Sequence, residues 1–299
     1  MLKASAPALR LFFSPCPNDT FIFHAWVHGL VPDAPAVAVV LADIDRLNAA
    51  TLRGEPEVAK VSFAAFAHLR DRYALLHAGG ALGRGCGPLL VEREGSRVLG
   101  QDDRPDPAGL AAVRIGIPGR STTAALLLRL FAPAAMNLVA MPFDRIVPAV
   151  VSGEVQAGVI IHESRFTYPH YGLRQVVDLG EWWESTTGMP IPLGGIVVRR
   201  DKGPELAEAV DRAIRLSLEA ARRDPGASAG YVRAYAQEMD AAVCRRHIDL
   251  YVNEFSLDYG AEGEQAIRSL LAEAERQGIA PGSEGLGVFW DDEDPRGSA

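Results

Sequence analysis

The side chains best suited to chemistry stand together at His162-Glu163-Ser164-Arg165, directly after the apolar run 158–161. That run reads as a short buried strand, and in open α/β sheets ligands gather just beyond the carboxyl ends of strands. His162 is therefore expected at the lip of a cleft. Imidazole, with an unperturbed pKa of about 6.5, suits proton transfer near neutrality, so His162 is the candidate general base. The competing reading is a buried histidine bonded to backbone. A nearby carboxylate raises the basicity of a histidine, but Glu163 is adjacent in sequence and need not face the ring. Arg165 has two readings, as a partner for a substrate carboxylate or for an internal acid. The pair His162-Glu163 is not followed by the second histidine of H-E-x-x-H, so it signals no zinc protease.

Three other groupings could hold a ligand. Ser14-Pro15-Cys16-Pro17-Asn18-Asp19-Thr20 lies between a strand and a helix, where backbone N–H groups can bind an anion. Asn18 is a candidate contact there, and a plain proline turn is the alternative. Lys60 and Ser62 alternate onto one face of a strand with Val61 on the other. An amine and a hydroxyl so placed can grip an acidic or hydroxylated ligand, although lysine is usually solvated. Gly119-Arg120-Ser121-Thr122-Thr123 opens a helix, where hydroxyls and amides favour carboxylate or phosphate and Arg120 adds charge. An ordinary Ser/Thr cap is the alternative. No Walker loop, no G-x-S-x-G and no dinucleotide G-x-G-x-x-G after a strand is present. His24 and His28 are spaced i, i+4 without a third ligand in view, so no metal site is expected.

These residues require an alternating α/β chain to position them. Strands are expected at 9–13, 36–42, 58–61, 88–92, 113–117, 138–141 and a stretch reaching 162. Helices are expected at 21–28, capped by Asn18, Asp19 or Thr20, and at 43–54, 63–72, 124–131 and 144–153. Two stretches rhyme. Residues 43–62 and 144–162 each read helix, Gly-Glu, strand, polar residue, which suggests two similar lobes. The polar segment 94–109 reads as a loop or crossing. A strand at 196–199 suggests a return crossing, and helices follow at 204–222, 227–236, 241–251 and 262–277. The acidic, glycine-rich end, 281–299, is expected to be loose.

The bulk properties exclude several classes. The chain has 299 residues, 48% of them hydrophobic and 23% charged, ordinary for one large or two modest globular domains. A net charge of -8 argues against a nucleic-acid surface, and no apolar run is long enough to span a bilayer. The first ten residues lack a signal-peptide pattern. Cys16, Cys86 and Cys244 are odd in number and far apart, which suits a reducing cytoplasm.

The blocks Ser-Pro-Cys-Pro-Asn-Asp-Thr-Phe (14–21), Lys60-Val61-Ser62, Gly-Ala-Leu-Gly-Arg-Gly (80–85), Pro-Gly-Arg-Ser-Thr-Thr-Ala (118–124) and Ile-His-Glu-Ser-Arg-Phe-Thr-Tyr (161–168) together resemble one family. It is the 1,4-dihydroxy-6-naphthoate synthases of the futalosine route to menaquinone, and the resemblance runs from about 9 to about 278. The sister chorismate dehydratases share the fold without the first and last blocks. The resemblance implies a two-lobed α/β fold like type II periplasmic binding proteins, with a cleft between the lobes. The discontinuous first lobe would comprise 1–95 and 195–299, and the second 96–194. It implies a carbon-carbon lyase that converts cyclic dehypoxanthine futalosine to the naphthoate and dihydroxyacetone, without metal or redox cofactor. The family's proton acceptor falls on His162, and its substrate-binding segments on Lys60 to Ser62 and on Thr122, Thr123 and Ala124. Ser121 is a point of departure. The expected partner is a small carboxylate substrate, with no nucleic acid or membrane; the oligomeric state stays open. Two alternatives are the sister dehydratase activity and a non-catalytic small-acid-binding protein.

Overall fold

The computed structural model of the chain describes residues 8–96, 106–236, 240–283 and 285–292. From the amino end the elements are β1 (Leu9–Phe13), α1 (Pro17–Val27), β2 (Val37–Leu41), α2 (Ile44–Leu52), β3 (Val58–Ser62), α3 (Phe63–Phe66), β4 (Tyr73–Leu75) and β5 (Ala81–Gly83). Next come β6 (Leu89–Arg93), β7 (Ile115–Ile117), α4 (Thr123–Phe131), β8 (Leu138–Ala140), α5 (Phe143–Ser152), β9 (Ala157–Ile160), α6 (Ser164–Thr167), β10 (Leu173–Asp178), α7 (Leu179–Thr187) and β11 (Ile191–Arg199). The remaining helices are α8 (Pro204–Arg223), α9 (Pro225–Tyr235), α10 (Ala241–Tyr251), α11 (Glu254–Leu257) and α12 (Gly260–Arg276).

The chain divides into two compact units. The first contains 1–81, 194–260 and 282–299, and the second contains 82–193 and 261–281. Residues 82–95, expected with the first lobe, join the second because β6 pairs antiparallel with both β9 and β10. Residues 261–281, also expected with the first, belong to the second through α12.

In the first unit the strands run β2-β1-β3-β11-β4. β2 and β3 flank β1 in parallel, and β11 pairs antiparallel with β3. Its core packs α1 against β1, β3, β11 and the helices α8 to α10. α8 buries Ala207, Val210, Ala213, Ile214, Leu218 and Ala221 at helical spacing, which gives a stripe wide enough to cover α1. In the second unit the order is β10-β6-β9-β7-β8, and β8 and β9 flank β7 in parallel. The core there joins Ile146, Val147 and Val150 of α5 to Leu89, Val91 and Ile160. Gly158 permits this approach, since a Cβ on it would lie 2.4 Å from the Ile146 side chain.

The two units thus share the topology strand, helix, strand, helix, strand with the first strand central. The rhyme between 43–62 and 144–162 falls on equivalent elements, α2 and β3 in one unit and α5 and β9 in the other. Gly54 and Gly153, which end those helices, take positive φ angles of 78° and 82°, a conformation that glycine adopts without steric cost.

Candidate functional site

In each unit the parallel strands deliver the chemistry-bearing residues from their carboxyl ends. β1 leads into Ser14 to Asp19, and β3 ends on Lys60, Val61 and Ser62. α1 begins at Pro17, with Cys16 as its N-cap. Asn18, Asp19 and Thr20, expected to cap a helix from 21, are instead its buried first turn, because proline is well suited to the first helical position. Asp19 is the hub of the first unit's polar cluster. Its Oδ1 accepts from Lys60 Nζ at 2.9 Å and from Asn18 Nδ2 at 2.9 Å. Its Oδ2 accepts from Ser14 Oγ at 2.7 Å. Lys60 also donates to the Gly79 carbonyl at 3.2 Å.

Lys60 is therefore no solvated lysine. Its side chain is 6% exposed and Asp19's is 1%, so the ammonium is matched by a buried carboxylate. Ser62 accepts from Asn48 Nδ2 at 3.0 Å, while its backbone N–H donates to Asn48 Oδ1 at 2.9 Å. The Ser62 O–H proton is used in neither bond. Val61 is buried on the opposite face. Asn18 in turn faces His247 of α10, whose Nε2 lies 3.0 Å from Asn18 Oδ1.

In the second unit the carboxyl ends of the adjacent strands β8, β7 and β9 lead respectively to Phe143, to the 118–123 turn and to His162. His162 is half-buried and has a φ of 57°, in the left-handed region that a residue with a Cβ seldom occupies. Its ring stands edge-on to Phe143, with centroids 4.9 Å apart. Thr122 caps α4: its Oγ1 accepts from the Ala125 N–H at 3.2 Å and donates to the Gly119 carbonyl at 2.8 Å. Thr123 Oγ1 donates to the Leu193 carbonyl at 2.5 Å, which spends the hydroxyl proton. Thr122, Thr123 and Ala124 are buried, Ser121 is half-buried and Arg120 is exposed, with Nη2 3.4 Å from the Leu138 carbonyl. The amino end of α4 carries amides with no intrahelical acceptor.

Of the two readings for Arg165, the geometry supplies an internal acid. Its guanidinium donates to Asp178 Oδ2 at 2.6 Å and to the carbonyls of Gly85 at 2.9 Å and Gly87 at 2.5 Å. Cys86, buried between those carbonyls, has its thiol pushed up to about 12 by burial, so it is a structural rather than a reactive cysteine. Cys16 and Cys244 are also buried, and neither forms a disulfide among the described residues. Among the described residues no group of three or more His, Cys, Asp or Glu could hold a metal ion. The His24 and His28 rings are tilted 39° to one another with centroids 4.5 Å apart, and His28 Nδ1 lies 2.7 Å from the His24 carbonyl. Among the described residues no helix is long and apolar enough to cross a membrane.

Similarity to known proteins follows this geometry. Residues 9–276 match the family model for menaquinone biosynthesis. The chain belongs to that family. It is similar to the 1,4-dihydroxy-6-naphthoate synthase of Thermus thermophilus, with 51% identity over 91% of this chain and 96% of the relative. Its similarity to the synthase of the same name from Streptomyces coelicolor is 50% over 93% and 96%. The crystal structure of an Archaeoglobus fulgidus protein superposes with a TM-score of 0.83 at 36% identity, covering 91% of this chain and 98% of that one. The alkanesulfonate-binding protein SsuA of Xanthomonas axonopodis pv. citri superposes with a TM-score of 0.66 at 16% identity over 93% and 96%. The likeness to SsuA concerns the fold alone, which is the two-lobed periplasmic-binding-protein-like α/β fold. Membership of the menaquinone family makes the chain a biosynthetic enzyme.

Reading the residues in isolation missed several that the family member's structure brings to these clusters: Asn48, Asp178, His247 and Phe143. Asn48 had a signal, since it sits about one turn from the amino end of a helix whose partner strand ends on Ser62. Asp178 and His247 had none, because their partners lie 13 and 229 positions away.

Proposed function

We propose that the chain converts cyclic dehypoxanthine futalosine to 1,4-dihydroxy-6-naphthoate with release of dihydroxyacetone, as a lyase of the futalosine route working in the cytoplasm. The observation that carries this reading is identity of 50% or more to two enzymes of that name, over nine-tenths of the chain. The reaction is a redox-neutral retro-aldol type cleavage drawn forward by aromatisation. It needs a base active near neutrality, donors toward a developing oxyanion, and a cradle for the ring carboxylate.

His162 is the base in this reading. Its support is a left-handed backbone at the end of a parallel strand, where strain is kept only when the surroundings over-determine it. Ser62 is the preferred hydroxyl donor, since Asn48 orients it and leaves its proton unused. Thr123 acts through its backbone rather than its hydroxyl, which Leu193 already occupies. Lys60, neutralised by Asp19, offers its remaining N–H as a hydrogen-bond donor rather than as a free charge. The carboxylate is left to the backbone amides at the amino end of α4, with Arg120 close by in sequence.

The test is incubation of the purified protein with cyclic dehypoxanthine futalosine, following naphthoate absorbance and dihydroxyacetone together. Stoichiometric appearance of both is expected. Binding without turnover would replace this reading with a small-acid receptor, and turnover of chorismate in its place would assign the sister dehydratase activity.

A further inference from the structure

The segment that carries the proposed base is poorly anchored by burial. Residues 161–168 are all half-buried, and α6 contains no buried residue. Hydrophobic packing holds the far end, where Tyr168 lies against the second unit's core. Yet His162 keeps a backbone conformation that opposes its Cβ, and such a conformation persists only where neighbouring contacts leave no alternative. Something other than burial must hold the turn.

Arg165 is the residue built to do so. Its own N–H donates to the His162 carbonyl at 3.2 Å and closes the turn. Its guanidinium then reaches out of the segment to three fixed acceptors, the carbonyls of Gly85 and Gly87 and the Asp178 carboxylate. The residues of all three acceptors are themselves held by further contacts. Asp178 is 7% exposed, and its other oxygen caps α7 by accepting from the N–H groups of Gly180 at 2.8 Å and Glu181 at 3.1 Å. Gly87 and Gly180 pack backbone to backbone, since a Cβ on Gly87 would fall 2.3 Å from the Gly180 Cα. The Gly85 N–H is held by Glu184 of α7 at 2.8 Å. A planar guanidinium with several donors matches such a divergent set of acceptors, and a lysine would not.

We propose that Arg165 is the positioning residue for His162: the tether from Asp178 and the Gly85 and Gly87 carbonyls through its guanidinium fixes the left-handed turn that presents the imidazole. Arg165 then does not bind the substrate carboxylate. The proposal deepens the function given above and rests on it for the catalytic readout, but the tether itself is a property of the substrate-free protein.

The test uses Arg165→Met, Arg165→Lys and Asp178→Asn in the full chain. Asp178→Asn retains an oxygen to cap α7 while weakening the tether, so it remains informative if Arg165→Met folds poorly. In substrate-free protein, amide exchange over 162–166 should quicken roughly 10–100-fold, the range set by losing a charged hydrogen bond. With substrate, kcat should fall by about 100-fold, as for a catalytic group displaced by about 1 Å, while KM stays within about threefold. Arg165→Lys should not rescue. A rise in KM of about 100-fold or more with kcat retained would mark Arg165 as a substrate cation and overturn the proposal, as would unchanged exchange in all three variants. If the wild type fails to turn over cyclic dehypoxanthine futalosine, the proposed function falls, and the exchange measurement still decides whether the tether exists.

Discussion

Replacing His162 by glycine and, separately, by alanine separates its backbone role from its chemical one. At a φ of 57°, a residue with a Cβ is disfavoured by about 1–2 kcal/mol. Glycine removes that penalty but loses about 0.5–1 kcal/mol more chain entropy on folding than alanine does. Both variants lose the edge contact with Phe143, worth about 0.5–1.5 kcal/mol for an aromatic pair. Alanine keeps the backbone penalty, so His162→Ala should be destabilised by about 1 kcal/mol. In His162→Gly the gain and the losses roughly cancel, leaving it near wild type. Glycine should thus be the more stable variant by about 0.5–1 kcal/mol, or about 2 °C in Tm, the reverse of the usual order. Both should lose turnover by at least the 10²–10⁴-fold that general acid-base catalysis contributes. Thermal melts and naphthoate absorbance read the two effects on the same samples. Alanine equal to or above glycine in stability would refute the backbone argument, and wild-type turnover in either variant would refute the base.

Other perturbations follow from the same geometry. Lys60→Met strands the buried Asp19 carboxylate and should cost about 3–5 kcal/mol, most of it regained in a Lys60→Met/Asp19→Asn pair; urea melts of the single and double variants check this. The Tyr259 hydroxyl is fully buried and has no hydrogen-bond partner among the described residues. Tyr259→Phe should therefore raise stability by about 1 kcal/mol, since an unsatisfied buried group costs about that much or more, and a lower melting temperature would show a hidden partner. A Cβ on Gly80 would meet that hydroxyl at 2.1 Å and the ring carbons Cε1 and Cζ at 2.4 and 2.5 Å, so Gly80→Ala should destabilise the first unit by about 1–3 kcal/mol, and Tyr259→Phe, which keeps both ring carbons, should offset little of it. Burial, and then the charge of His28, hold the His24 pKa below its ordinary value. The unfolded chain therefore binds a proton near pH 6.5 that the folded chain still refuses. Stability should fall as pH drops below about 6.5, and His24→Phe should flatten that part of the Tm-pH curve; an unchanged slope would count against it.

Much of the fold was legible because local rules and tertiary structure agree. Strands ending at Phe13 and Ser62, the helix from 204 and the helix ended by Gly153 all carry their own punctuation in proline, glycine and periodicity. Where they disagree, tertiary contacts win. The helix expected over 63–72 stops at Phe66 because Tyr73 to Leu75 form a strand beside β11. β10 and α7 went unread, as β10 is held by pairing with β6, more than 80 residues earlier in the chain by its Arg174–Glu92 ion pair. The end expected to be loose packs in part: Phe289 is fully buried and bridges to Leu75, and Asp291 pairs with His77. Most of the remainder, 293–299, lies outside the described residues, as does most of the expected 94–109 loop.

The site was legible in its positions and not in its partnerships, and the reason is physical. The carboxyl end of a parallel strand is set by the strand itself, so Lys60, Ser62 and His162 could be placed from alternation and burial alone. What each side chain can still offer depends on which acceptors long-range folding brings to it. Lys60 and Arg165 both read as cations available to a carboxylate, and both are matched by aspartates, Asp19 and Asp178, that reach them only in the folded chain. A buried cation needs a buried anion or its charge is too costly to keep. In a cluster built at strand ends the first claim on any arginine or lysine therefore belongs to the protein, and a substrate carboxylate must be met by amides and hydroxyls that secondary structure leaves unpaired. The pattern occurs twice within one chain, with Asp19 holding Lys60 in one unit and Asp178, from β10 outside the duplicated elements, holding Arg165 in the other.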